Sequence, residues 1–137
     1  MSEFTHLLDT NILSDLIRRP REGRVAEKIR ELGENRICTS IIVASEVRYG
    51  CAKKGSERLT AQAEIILNAL TVLSLEAPTD QFYAAIRHRL ETRGEIIGPN
   101  DLLIAAHARF LDLVLVTANA DEFSRVPDLR VENWLKE

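Results

Sequence analysis

Three carboxylates interrupt otherwise apolar segments of the chain, and together they could hold a metal ion. Asp9 follows a short apolar run, Glu46 lies within an apolar helical pattern, and Asp101 follows a Gly-Pro-Asn turn. Burial of a carboxylate is unfavourable unless the group is paired or bound to a cation. Carboxylates without histidine or thiolate suit a hard, oxygen-binding ion such as Mg²⁺ or Mn²⁺. Such an ion acts mainly on phosphates, where it orients water and neutralises charge on the oxygens.

Each acid also has a simpler interpretation. Asp9 and Asp101 could cap the helices that follow them, because the helix dipole favours an acid in the first turn. Glu46 could be a solvated residue on one helix face. Taken singly, these interpretations are favoured, whereas three acids at such positions together favour a shared site.

Short apolar runs alternate with longer helical patterns, which indicates βαβ crossovers. The predicted strands cover residues 6–9, 36–40, 72–75 and 113–117, with a short edge strand at 130–134. The predicted helices lie near residues 11–17, 25–32, 41–53, 59–70, 82–90 and 101–108. We therefore expect an α/β fold, a three-layer α/β/α sandwich with a mainly parallel central sheet of four to five strands. Ligands of such sheets bind at the carboxyl ends of the strands, where Asp9 is expected.

Length and composition limit the classes of protein that the sequence can encode. The 137 residues are 45% apolar and 28% charged, which is ordinary for a globular protein, and we expect one domain over residues 1–137. The formal charge of -3 argues weakly against a protein that coats nucleic acid. No apolar stretch reaches the roughly 18–20 residues that span a bilayer, and the N-terminus lacks a secretory signal. We expect a cytoplasmic protein without a membrane partner.

Cysteine and histidine do not suggest a competing metal site. Cys38 and Cys51 form no CxxC pair, and the sequence predicts reduced, buried thiols. The three histidines are scattered along the chain, which argues against a zinc site built from them.

Four motifs stand in order along the chain: LLDTN at 7–11, SEVRYG at 45–50, GPNDLLIAAHA at 98–108 and VTANADEF at 116–123. In this order and at this spacing they resemble the motifs of PIN-domain ribonucleases, and most closely those of the VapC-type toxins of bacterial toxin–antitoxin pairs. LLDTN alone has little specificity, whereas four motifs in register over essentially the whole chain are specific. The resemblance implies a PIN-like fold and a metal-dependent endoribonuclease, a phosphodiesterase that leaves a 5′-phosphate and a 3′-hydroxyl.

The resemblance also implies a role for each residue at a matching position. Asp9, Glu46 and Asp101 correspond to three family carboxylates, which are catalytic and ligate Mg²⁺ or Mn²⁺. The residues expected to support them by hydrogen bonding are Thr10, Asn11, Thr117 and Asp121. Water is the attacking group in the implied hydrolysis, so the ribose 2′-hydroxyl is not required and selectivity for RNA must come from binding contacts.

The fourth acidic position departs from the family pattern. That position often reads Thr-x-Asp, whereas here Asn119 stands two residues after Thr117. Asn119, which we also count as catalytic, can offer a carbonyl oxygen but no negative charge, and Asp121 could supply the charge instead. Three carboxylates suffice for one Mg²⁺, so the number of metal ions stays open.

Arginine is the main cation of the chain, which has 14 arginines and 4 lysines. Arginine binds phosphate through two parallel hydrogen bonds and stacks on bases, so we expect Arg87, Arg89 and Arg93 to contact RNA. A second group consists of Arg18, Arg19, Arg21 and Arg24. Either group could instead contact an antitoxin or form a solvated helix face.

The resemblance implies several partners. The expected substrate is transfer RNA, and similarity to enteric family members suggests the anticodon stem-loop of initiator transfer RNA. A VapB-type antitoxin would inhibit the toxin, the toxin would form a homodimer, and both would form a hetero-octamer on operator DNA. Tyr49 and the apolar stripe at 59–70 could serve the dimer, the antitoxin or the core.

Three other classes of protein are alternatives. A haloacid-dehalogenase-type phosphatase needs D-x-D, and the DTN sequence that begins at Asp9 lacks the second aspartate. A receiver-like signalling module needs an aspartate after the third strand and a late lysine, whereas Glu76 ends that strand and only Lys136 is late. A PIN-like scaffold that binds RNA without cleaving it stays open because of Asn119.

Overall fold

A parallel sheet forms the centre of the protein. The computed structural model describes residues 3–136, so the predicted domain of residues 1–137 extends beyond this range at both ends. The strands in the described range are β1 (His6–Leu8), β2 (Ile37–Ser40), β3 (Thr71–Leu73), β4 (Val114–Val116) and β5 (Val131–Glu132). They form one sheet in the order β3-β2-β1-β4-β5, and every neighbouring pair is parallel. The predicted α/β fold is confirmed, with five strands.

Seven α-helices connect the strands in this part of the chain, and each predicted helix is present. They are α1 (Thr10–Arg18), α2 (Arg24–Leu32), α3 (Ile41–Lys54), α4 (Glu57–Ala69), α5 (Thr79–Arg93), α6 (Pro99–Leu111) and α7 (Ala120–Phe123), with a 3-10 turn at Glu34–Arg36. α1 contacts α2, α3 and α4, and α5 packs against α6. Because crossovers between parallel strands are right-handed, the helices before β3 cover one face of the sheet and the later helices cover the other.

Local sequence signals set the limits of the two helices that carry Glu46 and Asp101. Ser40 caps α3, because its hydroxyl accepts a hydrogen bond from a backbone N–H of the first turn at 3.1 Å. Gly55, in the left-handed region with φ of 65°, ends the same helix. α6 begins at Pro99, a residue whose missing N–H leaves no donor unpaired at that position. These signals fix how far along each helix its acid lies.

The direction of the crossovers changes between β1 and β4, which are neighbours in the sheet. A crevice opens at the carboxyl ends of two such strands, because the helices that follow them leave toward opposite faces. The register pairs Leu8 with Val116, and the backbone N–H of Asp9 donates to the carbonyl oxygen of Val116 at 2.8 Å. Asp9 and Thr117, the next residues, are therefore held side by side at the crevice.

Two expectations from composition concern burial and membrane spanning. Cys38 and Cys51 are both free and buried, as predicted, and burial raises the pKa of the Cys38 thiol to about 12. Across residues 3–136, no helix combines the length and the apolar character that a membrane span requires.

Candidate active site

Asp9 and Thr117 form the centre of the candidate site, at the crevice between β1 and β4. Asp9 is 3% exposed, and the hydroxyl of Thr117 donates a hydrogen bond to its Oδ2 at 2.7 Å. The backbone N–H of Asn119 donates to the same hydroxyl at 3.0 Å. Asp9 is the N-cap residue of α1, but its side chain makes no capping hydrogen bond. Its carboxylate is oriented by Thr117 instead.

Glu46 reaches the site from α3 and is held by two other elements. The hydroxyl of Thr10, the first residue of α1, donates to Glu46 Oε1 at 2.5 Å. The Nδ2 of Asn100, in the first turn of α6, donates to Glu46 Oε2 at 3.3 Å. Glu46 is half-buried, so it is not simply a solvated residue. Asn100 was not among the predicted site residues, because its contact depends on the approach of two helices far apart in sequence.

Asp101 lies in the first turn of α6 and is close to other acids. The N-cap residue of that helix is Gly98, and α6 has no side-chain capping hydrogen bond. Burial, followed by repulsion from Glu122 and Asp9, raises the pKa of Asp101 to about 7. Burial also raises the pKa of Asp9, although the hydrogen bond from Thr117 opposes this change. The negative charges of the neighbouring acids therefore oppose the ionisation of Asp101.

Glu122 joins the three predicted acids, although it was not predicted as a site residue. It is half-buried in α7, and its Oε1 accepts a hydrogen bond from the backbone N–H of Gly98 at 3.5 Å. After burial, repulsion from Glu122 is the main cause of the raised pKa of Asp101. Asp121, which was predicted to supply a charge here, is exposed. The fully buried Phe123 anchors α7 and so decides which of its acids faces inward. Phe123 is the signal that could have identified Glu122, but a helix of four residues has too little periodicity to fix its inward side.

The donor set fits a divalent cation in its chemistry. Asp9, Glu46, Asp101 and Glu122 offer only oxygen ligands, and within residues 3–136 none of them forms an ion pair with a basic side chain. A hard cation would relieve the repulsion among them. The described residues contain no group of three or more acidic, histidine or cysteine side chains already arranged to hold a metal ion. Binding would therefore require these carboxylates to move closer together.

The two asparagines near the crevice take different positions. Asn11 Oδ1 accepts a hydrogen bond from the backbone N–H of Ala118 at 3.3 Å, so it ties α1 to the loop that follows β4. Asn119 is exposed immediately before α7, and it contributes its backbone N–H to the Thr117 hydroxyl. A catalytic role for the side chain of Asn119 stays a prediction.

The predicted RNA-binding arginines of α5 do not form one cluster. Arg87 forms an ion pair with Glu91 at 3.1 Å, and Arg93 lies 4.0 Å from Glu95. Arg89 lines a cavity between α5, α6 and the segment that precedes β5. The contact of these arginines with RNA stays a prediction. For Arg87 and Arg93 it requires the ion pair with glutamate to open, or the arginine to contact glutamate and phosphate at the same time.

The second arginine group includes a residue that lies close to the site. Arg18 lines a cavity together with Thr10 and Glu46. Arg19, the next residue, pairs with Asp15 at 2.6 Å. Arg24 donates hydrogen bonds to backbone carbonyl oxygens near the end of the described chain. Within this group, therefore, Arg18 shares a cavity with Glu46 of the site.

Asp101→Asn is expected to raise the thermal stability of the protein. The pKa of Asp101 is about 7 in the folded protein against an ordinary value of 3.8, so the folded state binds the proton more tightly and stability falls as pH rises between these values. At pH 8 the ionised side chain opposes folding, and asparagine removes that charge. Since the group is partly solvated, we expect a gain of about 1 kcal/mol, or roughly 3–5 °C in Tm.

Asp80→Asn is the matched control for this prediction. Asp80 lies in the first turn of α5, just as Asp101 lies in the first turn of α6. Asp80 is exposed, whereas Asp101 is half-buried. Its replacement is expected to leave Tm unchanged or slightly lower, because the helix dipole favours an acid there. Thermal unfolding at pH 5 and pH 8 tests both variants. A lower Tm for Asp101→Asn at pH 8 would contradict the repulsion that we assign to this site.

The chain is similar over almost its whole length to proteins of one family. A family model of the PIN domain matches residues 6–129, a range that includes all four acids of the site. Ribonuclease VapC2 of Rickettsia felis is 38% identical over 132 residues, covering 96% of the chain and 98% of that protein. The tRNA(fMet)-specific endonuclease VapC of Shigella flexneri is 36% identical over 129 residues, covering 93% and 96%. A crystal structure of VapBC2 from Rickettsia felis, bound to a DNA fragment from its promoter, matches with a TM-score of 0.87 at 37% identity, covering 96% of the chain and 99% of the matched one.

Proposed function

The chain belongs to the PIN-domain family, and we propose that it is a divalent-metal-dependent endoribonuclease of the VapC type. The observation that carries the proposal is the grouping of Asp9, Glu46, Asp101 and Glu122 near the crevice between β1 and β4. Relatives named as ribonucleases support it, since their identity to the chain is 38% and 36% over more than nine-tenths of its length. The reaction is hydrolysis of a phosphodiester bond to a 5′-phosphate and a 3′-hydroxyl.

Each side chain has a role that follows from its contacts. The four acids would hold Mg²⁺ or Mn²⁺, which when bound neutralises charge on the phosphate oxygens and orients water. Thr117 keeps the Asp9 carboxylate in one orientation through its hydrogen bond of 2.7 Å. Thr10 and Asn100 each donate a hydrogen bond to one carboxylate oxygen of Glu46. Glu46 of α3 is therefore linked to both α1 and α6.

The names of two relatives extend the proposal to a substrate and to partners. The Shigella flexneri relative is named for tRNA(fMet), so we propose the anticodon stem-loop of initiator transfer RNA as the substrate. The Rickettsia felis structure contains a VapBC pair on promoter DNA, so we propose that a VapB-type antitoxin inhibits this chain. A homodimer, and a hetero-octamer with antitoxin on operator DNA, complete the proposal. Tyr49 and Ile65, each 67% exposed on α3 and α4, provide apolar surface for such partners.

Cleavage of initiator transfer RNA by the purified, antitoxin-free protein is the test. We expect cleavage in Mg²⁺ or Mn²⁺ and none after addition of EDTA, because the carboxylates alone have no cation to neutralise the phosphate. Elongator methionine transfer RNA is the matched control substrate and is expected to remain intact. Sequencing of the product 5′ ends locates the cut, and ligation of an adaptor that requires a 5′-phosphate checks the chemistry.

Two results would contradict the proposal in different ways. Cleavage that persists in EDTA would exclude the metal-dependent reaction. Binding without cleavage of any RNA, in either metal, would favour the PIN-like scaffold that binds RNA without cutting it.

A further inference from the structure

A groove leads away from the candidate site between α1 and α3. Its cavity of about 190 Å³ is lined near the acids by Thr10 and Glu46 and farther along by Arg18 and Lys54. Its apolar lining consists of Ile17, Val47, Cys51 and Leu59. Each cation lies eight residues beyond the site residue on its own helix, which is about 12 Å at a rise of about 1.5 Å per residue. The groove therefore connects the acids to two cations over a distance that a short piece of polymer would span.

Within residues 3–136, the two cations of the groove form no ion pair with an acidic side chain. Arg18 and Lys54 are both exposed. Neighbouring arginines on the same helices are paired: Arg19 with Asp15 at 2.6 Å and Arg48 with Glu64 at 2.7 Å. The groove thus keeps its positive charge available for an anionic ligand.

Gly50 leaves the floor of this groove open. It lies four residues after Glu46 and four before Lys54, so it shares their face of α3, and it lines the cavity. A Cβ added at Gly50 would meet no atom within 4 Å, so packing does not require a glycine there. Glycine inside a helix is destabilising relative to alanine. Packing of the fold therefore does not explain the glycine, whereas a groove that must stay open for a ligand would explain it.

We propose that this groove binds the RNA strand beside the scissile phosphate, with Arg18 and Lys54 contacting backbone phosphates. The inference rests on the proposed function, because it takes RNA as the substrate. A stacked strand rises about 3.4 Å per nucleotide, so the two cations lie roughly three or four nucleotides from the acids. Gly50 leaves room for the sugar or base that lies between these points.

RNA binding by an Arg18→Ala/Lys54→Ala double variant tests the inference. The probe is a fluorescent single-stranded RNA, and each protein also carries Asp9→Asn so that the probe stays intact. We expect about tenfold weaker binding at low salt and a salt dependence shallower by about 1.4, since each phosphate contact on a single strand contributes roughly 0.7. Lys53→Ala is the matched control, because Lys53 lies in the same last turn of α3 but does not line the groove.

Gly50→Leu gives a second test that a folding defect cannot imitate. Leucine favours the helix more than glycine does, so Tm is expected to rise while RNA binding weakens. Unchanged RNA binding in this variant, or in the double variant, would overturn the inference. The groove would then be left to another ligand, such as a segment of a protein partner.

Failure of the inference can be separated from failure of the proposed function. Cleavage is measured in Mg²⁺ with Asp9 intact, independently of the binding assay. If the wild-type protein cleaves RNA and the groove variants bind it normally, the inference is wrong and the proposed function stands. If the groove variants lose binding but the wild-type protein never cleaves, the groove binds RNA and the proposed function is wrong.

Discussion

Replacement of Asp9 by asparagine is expected to reduce RNA cleavage about 10³-fold, or roughly 4 kcal/mol of transition-state stabilisation. Asparagine has nearly the same shape, and its oxygen can still accept the hydrogen bond from Thr117, so the crevice is preserved. The substitution removes the negative charge of the most buried acid of the site, which is 3% exposed. Burial raises the pKa of Asp9, so the loss of charge is not expected to destabilise the fold. Single-turnover cleavage in Mg²⁺ and thermal unfolding measure the two effects.

Asp15→Asn is the matched control for Asp9→Asn. Asp15 is another buried aspartate, six residues along the chain in α1, and it pairs with Arg19 rather than with the site. Its replacement is expected to lower stability without changing the cleavage rate of the folded protein. If Asp9→Asn cleaves at close to the wild-type rate, or if both variants lose activity equally, Asp9 does not have the role proposed for it.

The fold was predictable because its signals are local or periodic. Each strand of the sheet is a short apolar run, and each long helix has an apolar stripe, so their order implied parallel crossovers. The order then placed the residue after β1 at the carboxyl edge of the sheet. The contact between Asp9 and Thr117 depends on the pairing of β1 with β4, a strand order that the sequence pattern did not specify. The pattern alone therefore placed Asp9 at this edge, whereas the role of Thr117 was expected from the family resemblance.

The contacts of Glu46 and Glu122 were not predictable in the same way. Asn100 meets Glu46 only because α3 and α6 approach each other, and no pattern along the chain specifies that approach. Glu122 faces Asp101 because Phe123 is buried beside it, and one helical turn is too short to show its inward side. The contacts of the exposed arginines were also not predictable, because packing does not fix the direction of a long side chain at the surface.

The proposed metal site opposes folding when no cation is bound. Burial, followed by repulsion from Glu122 and Asp9, raises the pKa of Asp101, and a divalent ion would relieve that repulsion. Function and stability therefore change in opposite directions at this position. Mn²⁺ is expected to raise the Tm of the wild-type protein more than that of Asp101→Asn, which links the stability prediction to the metal-dependent reaction.

Glu122→Gln is expected to reduce cleavage about 10²-fold, whereas Asp121→Asn is expected to have little effect. After burial, repulsion from Glu122 is the main cause of the raised pKa of Asp101, whereas Asp121 is exposed. If Glu122 ligates the metal, glutamine weakens metal binding, so part of the lost activity should return at high Mn²⁺. Cleavage rates over a range of Mn²⁺ concentrations therefore separate a lost ligand from a lost catalytic group.

Asn119→Ala completes the comparison, because Asn119 occupies the position at which the family pattern often has an acid. The side chain of Asn119 is exposed, and its contribution to the crevice is a backbone N–H, which alanine retains. If the side chain of Asn119 is catalytic, as predicted from the sequence, Asn119→Ala loses activity. A cleavage rate near that of the wild-type protein would limit its contribution to the backbone N–H. A larger loss in Asn119→Ala or Asp121→Asn than in Glu122→Gln, with all three folded, would place the fourth ligand in the loop before α7 and would refute the assignment of Glu122.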